Sequence, residues 1–312
     1  SLSLVESLCI FDTVLMHRKG IYVIMSESTG LTARGEIAPL PGLSKESLDE
    51  AVKQLEPILP LLLGRNVESL DQVEAFMDEL SPLFPSVRCG LEMALVSLLA
   101  ASQKQTLAQF LCQHPVQIVP ICFLVRGNTD REVLMDRIGT NSFKENSVKI
   151  KLGHQPLEEA IEFIRSLLSI LPQTVLLRLD VNRAWDMKPL QTIASSIQMD
   201  RIEYIEEPLK ELSELDVKGD SLRIALDESL SLLNPAHFVL PPYVSALVLK
   251  PMMLGGILTT LKWANVAKKQ GRYVVISSSY ESPTGLDQLE QLACALQRPG
   301  VASGLGTRHV FR

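Results

Sequence analysis

The sequence predicts an α/β protein, a (β/α)8-type barrel with an N-terminal α+β capping domain. Three observations carry that prediction. From about residue 116 onward, short β-rich runs recur every ~20 to 30 residues with helical patterns between them, the rhythm of a parallel α/β architecture. Several of these runs end in charged residues on one parity, where a buried parallel strand should read almost wholly apolar. Ahead of them the rhythm is mixed, and 312 residues suffice for one large barrel plus a smaller domain.

In chain order, Leu8 to Leu15 and Gly20 to Met25 read as paired strands, followed by the turn-rich Ala38-Pro-Leu-Pro-Gly-Leu43. A helix is expected to start at Ser44, with Leu48, Val52 and Leu55 at helical spacing, and a second over about Leu70 to Leu80. The apolar segment Gly90 to Ala101 and the run through Leu107, Phe110 and Leu111 continue helical until Pro115 breaks the pattern. Residues 1–115, with the C-terminal tail, are therefore assigned to the capping domain and 116–312 to the barrel. The expected barrel strands are Val119 to Val125, Ser147 to Leu152, Thr174 to Val181, Ile202 to Glu207, Arg223 to Glu228, Ala246 to Lys250 and Tyr273 to Ser279, with a weaker eighth near Gly300 to Leu305. An open dinucleotide-binding sheet would want G-x-G-x-x-G after its first strand, and none follows it here.

Composition narrows the function classes. With 46% hydrophobic and 21% charged residues, the chain has the makeup of a folded, soluble protein. A net charge of −6 and the lack of a Lys/Arg cluster interleaved with aromatics argue against a nucleic-acid partner. The five cysteines are an odd count without a C-x-x-C pair, so a reducing compartment is expected rather than a disulfide framework. The apolar runs Ala94 to Ala101 and Ile118 to Val125 are far shorter than the roughly 20 residues that span a bilayer, so no membrane partner is expected. The chain opens with Ser1 and has no basic stretch followed by an apolar core, so no signal or transit peptide is expected.

The chemistry is written at the strand ends. In Val148-Lys-Ile-Lys-Leu152, Lys149 and Lys151 share one face of an extended strand. The next strand ends Arg178-Leu-Asp180-Val-Asn182, the fourth Tyr204-Ile-Glu206-Glu207-Pro208, the fifth Ala225-Leu-Asp227-Glu228-Ser229 and the sixth Leu249-Lys250-Pro251. Around one barrel opening, Asp180, Glu206 and Asp227 would converge with Lys151 and Lys250 on opposite sides. Glu207 and Glu228, on the other parity, are expected to make ion pairs behind the strands. Three carboxylates at one point need a cation, and an all-oxygen site suits Mg2+ or Mn2+ rather than zinc. A cation beside the lysines would lower their pKa and make a neutral lysine base accessible. Removal of a proton next to a carboxylate is the chemistry such a site serves best.

These residues resemble the enolase superfamily. Lys149-Ile-Lys151, Asp180-Val-Asn182, Glu206-Glu-Pro208, Asp227-Glu-Ser229 and Lys250-Pro251 are similar in order and spacing to its muconate-lactonizing branch. Within that branch Gly35-Glu-Ile-Ala-Pro-Leu-Pro-Gly42, Gly90-Leu-Glu-Met-Ala94 and Ser277-Ser-Ser-Tyr-Glu-Ser282 look like the o-succinylbenzoate synthases. The family's Gly-Leu-Asp-Thr near the eighth strand reads Gly304-Leu-Gly-Thr307 here. The resemblance implies that Asp180, Glu206 and Asp227 are the metal ligands, Lys151 is the proton-abstracting base and Lys250 stabilises the enolate from the other face. Lys149 and Arg178 would supply positive charge near the base and the substrate carboxylate, and Ser277, Ser278 and Ser279 would hold the succinyl end.

The implied reaction is dehydration of the small-molecule carboxylate 2-succinyl-6-hydroxy-2,4-cyclohexadiene-1-carboxylate to o-succinylbenzoate, in menaquinone or phylloquinone synthesis. The resemblance extends to a module of the multifunctional plant phylloquinone-pathway polypeptide, which would place the chain in a plastid; the alternative is a bacterial cytoplasm. Competing readings are an N-succinylamino acid racemase or dipeptide epimerase, which use the same metal site, and a non-catalytic scaffold. By the same resemblance, the segments Met16 to Gly20 and Pro39 to Gly42 would close the barrel mouth.

Overall fold

The computed structural model, which describes residues 1–10, 12–140, 142–153, 155–210 and 222–311, opens with two antiparallel pairs. Strand β1 (Leu2–Ile10) pairs with β2 (Thr13–Arg18), and β3 (Ile21–Ser26) pairs with β4 (Thr32–Ile37). The expected single strand Leu8 to Leu15, paired with Gly20 to Met25, is thereby corrected. The chain reverses after Ile10 so that Leu8 faces Leu15; apolar alternation reads straight through so tight a reversal, and Asp12 is a weak turn signal. Phe11, within that segment, lies outside the described residues. A large bulge interrupts β1, where Leu4 to Ser7 stand opposite the single residue Met16. Leu4 pairs instead with Phe311, so the C-terminal tail returns to the first sheet.

The helices of this domain are α1 (Leu48–Leu55), α2 (Leu59–Leu62), α3 (Leu70–Glu79), α4 (Pro85–Ser102) and α5 (Leu107–Leu111). Helix α1 starts after Ser47 rather than at Ser44, because Ser47 and Glu50 form a reciprocal capping box. Ser44 instead accepts the Leu40 N–H at 2.8 Å, closing the preceding turn. Strand β4 crosses α4 at two glycines of the quoted motifs: a Cβ on Gly35 would stand 1.9 Å from the Gly90 carbonyl oxygen, so backbone lies on backbone. In the same motif, buried Glu92 pairs with Arg88 at 2.7 Å and accepts the Leu258 N–H at 2.9 Å, which ties α4 to a barrel helix at its N-terminus.

Seven parallel strands follow: β5 (Phe123–Val125), β6 (Ser147–Lys151), β7 (Leu176–Asp180), β8 (Ile202–Glu206), β9 (Ile224–Leu226), β10 (Val244–Leu249) and β11 (Tyr273–Ile276), each hydrogen-bonded to its neighbours in chain order. The described helices on their outside are α6 (Asn128–Gly139), α7 (Leu157–Ile170), α8 (Met187–Ser196), α9 (Pro251–Leu254), α10 (Ile257–Lys269) and α11 (Pro283–Leu296). The weak eighth strand is reduced to two parallel bridges, Ile121 with Ser303 and Ser277 with Gly304, and these join β11 back to the start of β5. Closure requires Gly304, since a Cβ there would stand 2.4 Å from Ser277 Oγ. Gly306, where the family shows Asp, is similarly tight, its Cβ position 2.8 Å from the Cys122 carbonyl oxygen. No helix among the described residues is long and apolar enough to cross a membrane.

The two domains are locked at a buried junction. Among the described residues the guanidinium of Arg18, a residue 3% exposed, donates only to carbonyls: Pro39 at 2.8 Å, Tyr280 at 3.1 Å, Lys19, Ser279 and, closely, Ala38. Glu36 accepts the Ser282 N–H at 3.0 Å, and Glu281 accepts the Ser279 N–H at 2.6 Å while its other oxygen has no partner among the described residues. Burial, reinforced by the Glu36 charge, pushes the Glu281 carboxyl up to about 7. In the unfolded chain the same group ionises near 4.5, so the native state holds the extra proton between those values. Its stability contribution is complete below about 4.5 and is lost as pH rises through 7. Glu281→Gln is expected to stabilise the protein at pH 8 by roughly 3 kcal/mol, with little effect at pH 5. Urea denaturation at the two pH values checks this, and an equal effect at both would refute it.

Candidate active site

The carboxyl ends of β6 to β10 carry the predicted residues, and the strand register brings them together. Lys151 stands beside Asp180 and Asp180 beside Glu206 in the parallel ladders, and Asp227 follows β9, the next strand. Asp180, Glu206 and Asp227 are 1%, 1% and 4% exposed. Lys149 Nζ lies 3.0 Å from Asp180 Oδ2 and 2.7 Å from Glu206 Oε1. Lys151 Nζ lies 3.3 Å from Asp180 Oδ2 and donates to Asn182 Oδ1 at 3.1 Å. Lys250 Nζ donates to Asp227. All three lysines and all three carboxylates are thus gathered at one end of the barrel.

Charge balance explains how the cluster stays folded. Burial opposes ionisation of Asp180, but Lys149, Lys151 and Lys250 override it and hold its pKa below the usual carboxylate range. Burial likewise opposes the charges on Lys149 and Lys250, and here Asp180 with Glu206, and Asp227, respectively raise the pKa above that of a free lysine. Among the described residues no three Asp, Glu, His or Cys side chains form a preformed ion cage, and the ammonium groups of Lys149 and Lys250 lie against the carboxylates. The donor set nevertheless fits a hard divalent cation: three buried carboxylates supply only oxygen, and one buried oxygen of neighbouring Glu228 has no partner among the described residues.

Backbone strain is concentrated beside these residues. Asn182, Arg183 and Glu207 adopt φ values of 48°, 62° and 41°, each costing about 1–3 kcal/mol for a non-glycine residue. The left-handed turn after Asp180 places Asn182 between Lys151 and Glu228, accepting from the first and donating to the second at 3.0 Å. Glu207 is buried as expected and pairs with Arg183 at 3.3 Å. It also accepts the N–H groups of Asp227 at 2.8 Å and Ser229 at 2.9 Å, which shapes the turn that presents Asp227. Glu228 departs from expectation: it lines the mouth instead of pairing behind the strands, because the chain leaves extended geometry at Asp227 (φ −129°, ψ −90°) and strand parity ends there.

Above the charges lies a cavity of about 440 Å³ that Lys151, Lys250, Asn182, Glu228, Ser278 and Ser279 line from the barrel. Ser278 Oγ is 2.7 Å from Thr307 Oγ1, and Ser279 Oγ is buried without a partner among the described residues. Ser277 lies deeper, its hydroxyl on the Gly304 carbonyl at 3.4 Å, and does not line the cavity. Arg178 is also placed away from it: 1% exposed, it pairs with Glu203 at 2.7 Å inside the barrel, one rung below Asp180. Even parity along β7 turns both residues inward, but only the last of them reaches the opening. The capping domain contributes Leu40, within the expected Pro39 to Gly42 segment, and Leu43 just beyond it, together with Glu6 to Ile10 of β1. Met16, from the other expected lid segment, is 59% exposed and lies outside the lining. Sequence reasoning places Glu228 on the wrong side and does not single out Asn182 or the β1 lip; the polar parity of Asp180-Val-Asn182 is the available signal for Asn182.

Comparison with known proteins agrees with this architecture. Residues 1–98 match the family described as MenC, N-terminal domain, and residues 138–310 match Enolase C-terminal domain-like. The chain is 34% identical over 308 residues to the o-succinylbenzoate synthase of Vibrio cholerae serotype O1 (strain M66-2), covering 96% of this chain and 84% of that one. It is 30% identical over 310 residues to the o-succinylbenzoate synthase of Haemophilus influenzae, covering 97% and 86%. Among solved structures, the dipeptide epimerase from Methylococcus capsulatus complexed with Mg and the dipeptide L-Arg-D-Lys superposes with a TM-score of 0.84 at 23% identity, covering 99% of this chain and 89% of that one. The muconate lactonizing enzyme from Pseudomonas fluorescens gives 0.82 at 18% identity, covering 99% and 86%. These two show the shared fold; the synthase relatives and the domain matches show the family. The chain belongs to the o-succinylbenzoate synthase family of the enolase superfamily.

Proposed function

We propose that the barrel mouth catalyses the Mg2+-dependent syn elimination of water from 2-succinyl-6-hydroxy-2,4-cyclohexadiene-1-carboxylate, giving o-succinylbenzoate for menaquinone synthesis. The observation that carries this reading is the arc from β6 to β10, in which Lys151, from its first strand, and Lys250, just after its last, line one cavity and the three intervening strands supply Asp180, Glu206 and Asp227. Those carboxylates would hold the cation, which when bound supplies positive charge at the substrate's ring carboxylate; Mn2+ meets the same oxygen-donor requirement. Lys151 takes the proton next to that carboxylate and, as an acid on the same face, returns it to the departing hydroxyl. Lys250 offsets the developing negative charge from the other side, and Lys149, which also contacts Glu206, holds Asp180 in its charged form. Ser278 and Ser279 face the substrate's succinyl end. Placement in phylloquinone synthesis, in a plastid and within a multifunctional polypeptide belongs to the proposal through motif resemblance alone, since the relatives named above are bacterial.

Loss of the cyclohexadiene absorbance on mixing substrate, protein and Mg2+ tests the reading. Turnover is expected with the metal and should fall at least about 100-fold in excess chelator, as several kcal/mol of charge stabilisation are withdrawn. Absence of turnover in saturating Mg2+ would turn the assignment toward proton transfer on an N-succinylamino acid or a dipeptide.

A further inference from the structure

We propose that Arg126 receives the second, distal carboxylate of a dicarboxylic substrate, an inference that rests on the function proposed above. Among the described residues, the cations lining the mouth cavity are Lys151, Lys250 and Arg126. The two lysines stand at the carboxylate row, where the substrate reacts. A substrate with a second carboxylate on a flexible chain must place that charge elsewhere in a cavity whose capping wall includes Leu8, Ile10, Leu40 and Leu43. Leaving it there unpaired would cost several kcal/mol.

Arg126 follows the last residue of β5, so it stands on the rim beside the end of β6, which carries Lys151. Its guanidinium is held in place by Asp130, with Nε donating to Oδ2 at 2.9 Å and Nη2 to Oδ1 at 3.0 Å. Asp130 also accepts the Arg126 backbone N–H at 2.9 Å, which fixes both ends of the side chain. Nη1 makes no hydrogen bond among the described residues and is not among the buried polar atoms that lack a partner, so it is accessible, on a residue that lines the cavity. Glu6, on the bulged lip of β1, lines the same cavity without forming an ion pair to Arg126. A preorganised guanidinium with a free edge is suited to bind a carboxylate without reorganising.

Calorimetric binding of o-succinylbenzoate, and of its analogue with the succinyl carboxylate converted to a primary amide, to the Mg2+-saturated protein tests this. Arg126→Gln is expected to weaken the dicarboxylate roughly ten- to hundredfold and to leave the amide unchanged, the loss of one charge-assisted contact. In steady state the same variant should raise KM by a similar factor with kcat within about threefold. Equal weakening of both ligands, or of neither, overturns the inference while the function stands. Failure of the wild-type protein to bind either ligand overturns the function and the inference together. If Arg126→Gln does not fold, Arg126→Lys keeps the charge without the fork and should weaken the dicarboxylate alone by a smaller factor.

Discussion

Replacing Lys151 with Ala is expected to remove dehydration, lowering kcat by about 10³-fold or more, because the proton is both taken and returned by this one amine. The fold should survive. Lys151 is 37% exposed at its side chain, and its main charged neighbour Asp180 keeps a second cation in Lys149 at 3.0 Å. Stopped absorbance change with an unaltered melting curve is therefore the expected result, and appreciable residual turnover would exclude Lys151 as the base. Lys250→Arg separates the elimination from its rivals. Arginine keeps the positive charge beside Asp227 but cannot serve as a base near neutral pH. Dehydration, which asks Lys250 only for charge, should persist at a reduced rate, whereas a racemase or epimerase would lose one of its two proton-transfer faces. Proton exchange retained without dehydration would count against the synthase reading.

Which parts of this were legible beforehand follows from how far each constraint reaches along the chain. Strand parity is local, so Lys149, Lys151, Asp180 and Glu206 could be placed on one face from five-residue windows, and the barrel order then brings them together. Parity fails where the chain leaves extended geometry. Parity puts Glu228 on the wrong side because the turn at Asp227 intervenes, and it puts Ser277 at the mouth although that residue bridges to Gly304 where the barrel closes. The hairpin at Ile10 was read through because alternation alone does not mark a reversal. The β1 lip depends on its pairing with the C-terminal tail, Leu4 with Phe311, which no local pattern encodes.

Arg178 is the residue whose environment departs furthest from a binding role, and the largest stability effect is expected there. Its guanidinium donates to both oxygens of Glu203, at 2.7 Å and 3.0 Å, and lies 5.1 Å from the Tyr204 ring centroid. Glu203 in turn accepts from Tyr273 at 3.2 Å and Ser147 at 3.3 Å, so a polar layer from four strands fills the barrel beneath the active site. Arg178→Met leaves the partly buried Glu203 short of its main partner, which costs about 3 kcal/mol. For a chain of this size that lowers Tm by roughly 5 °C. The double variant Arg178→Met with Glu203→Leu removes both charges and should recover most of the loss, since apolar replacement of a complete buried pair is commonly neutral or better. Below the melting transition, the single variant should keep kcat/KM within about tenfold, the cost of slight movement in Lys149, its neighbour across the β6–β7 ladder. A variant that melted like the parent and failed to turn over substrate would reverse the argument, returning Arg178 to the substrate and leaving the Glu203 layer without a stabilising role.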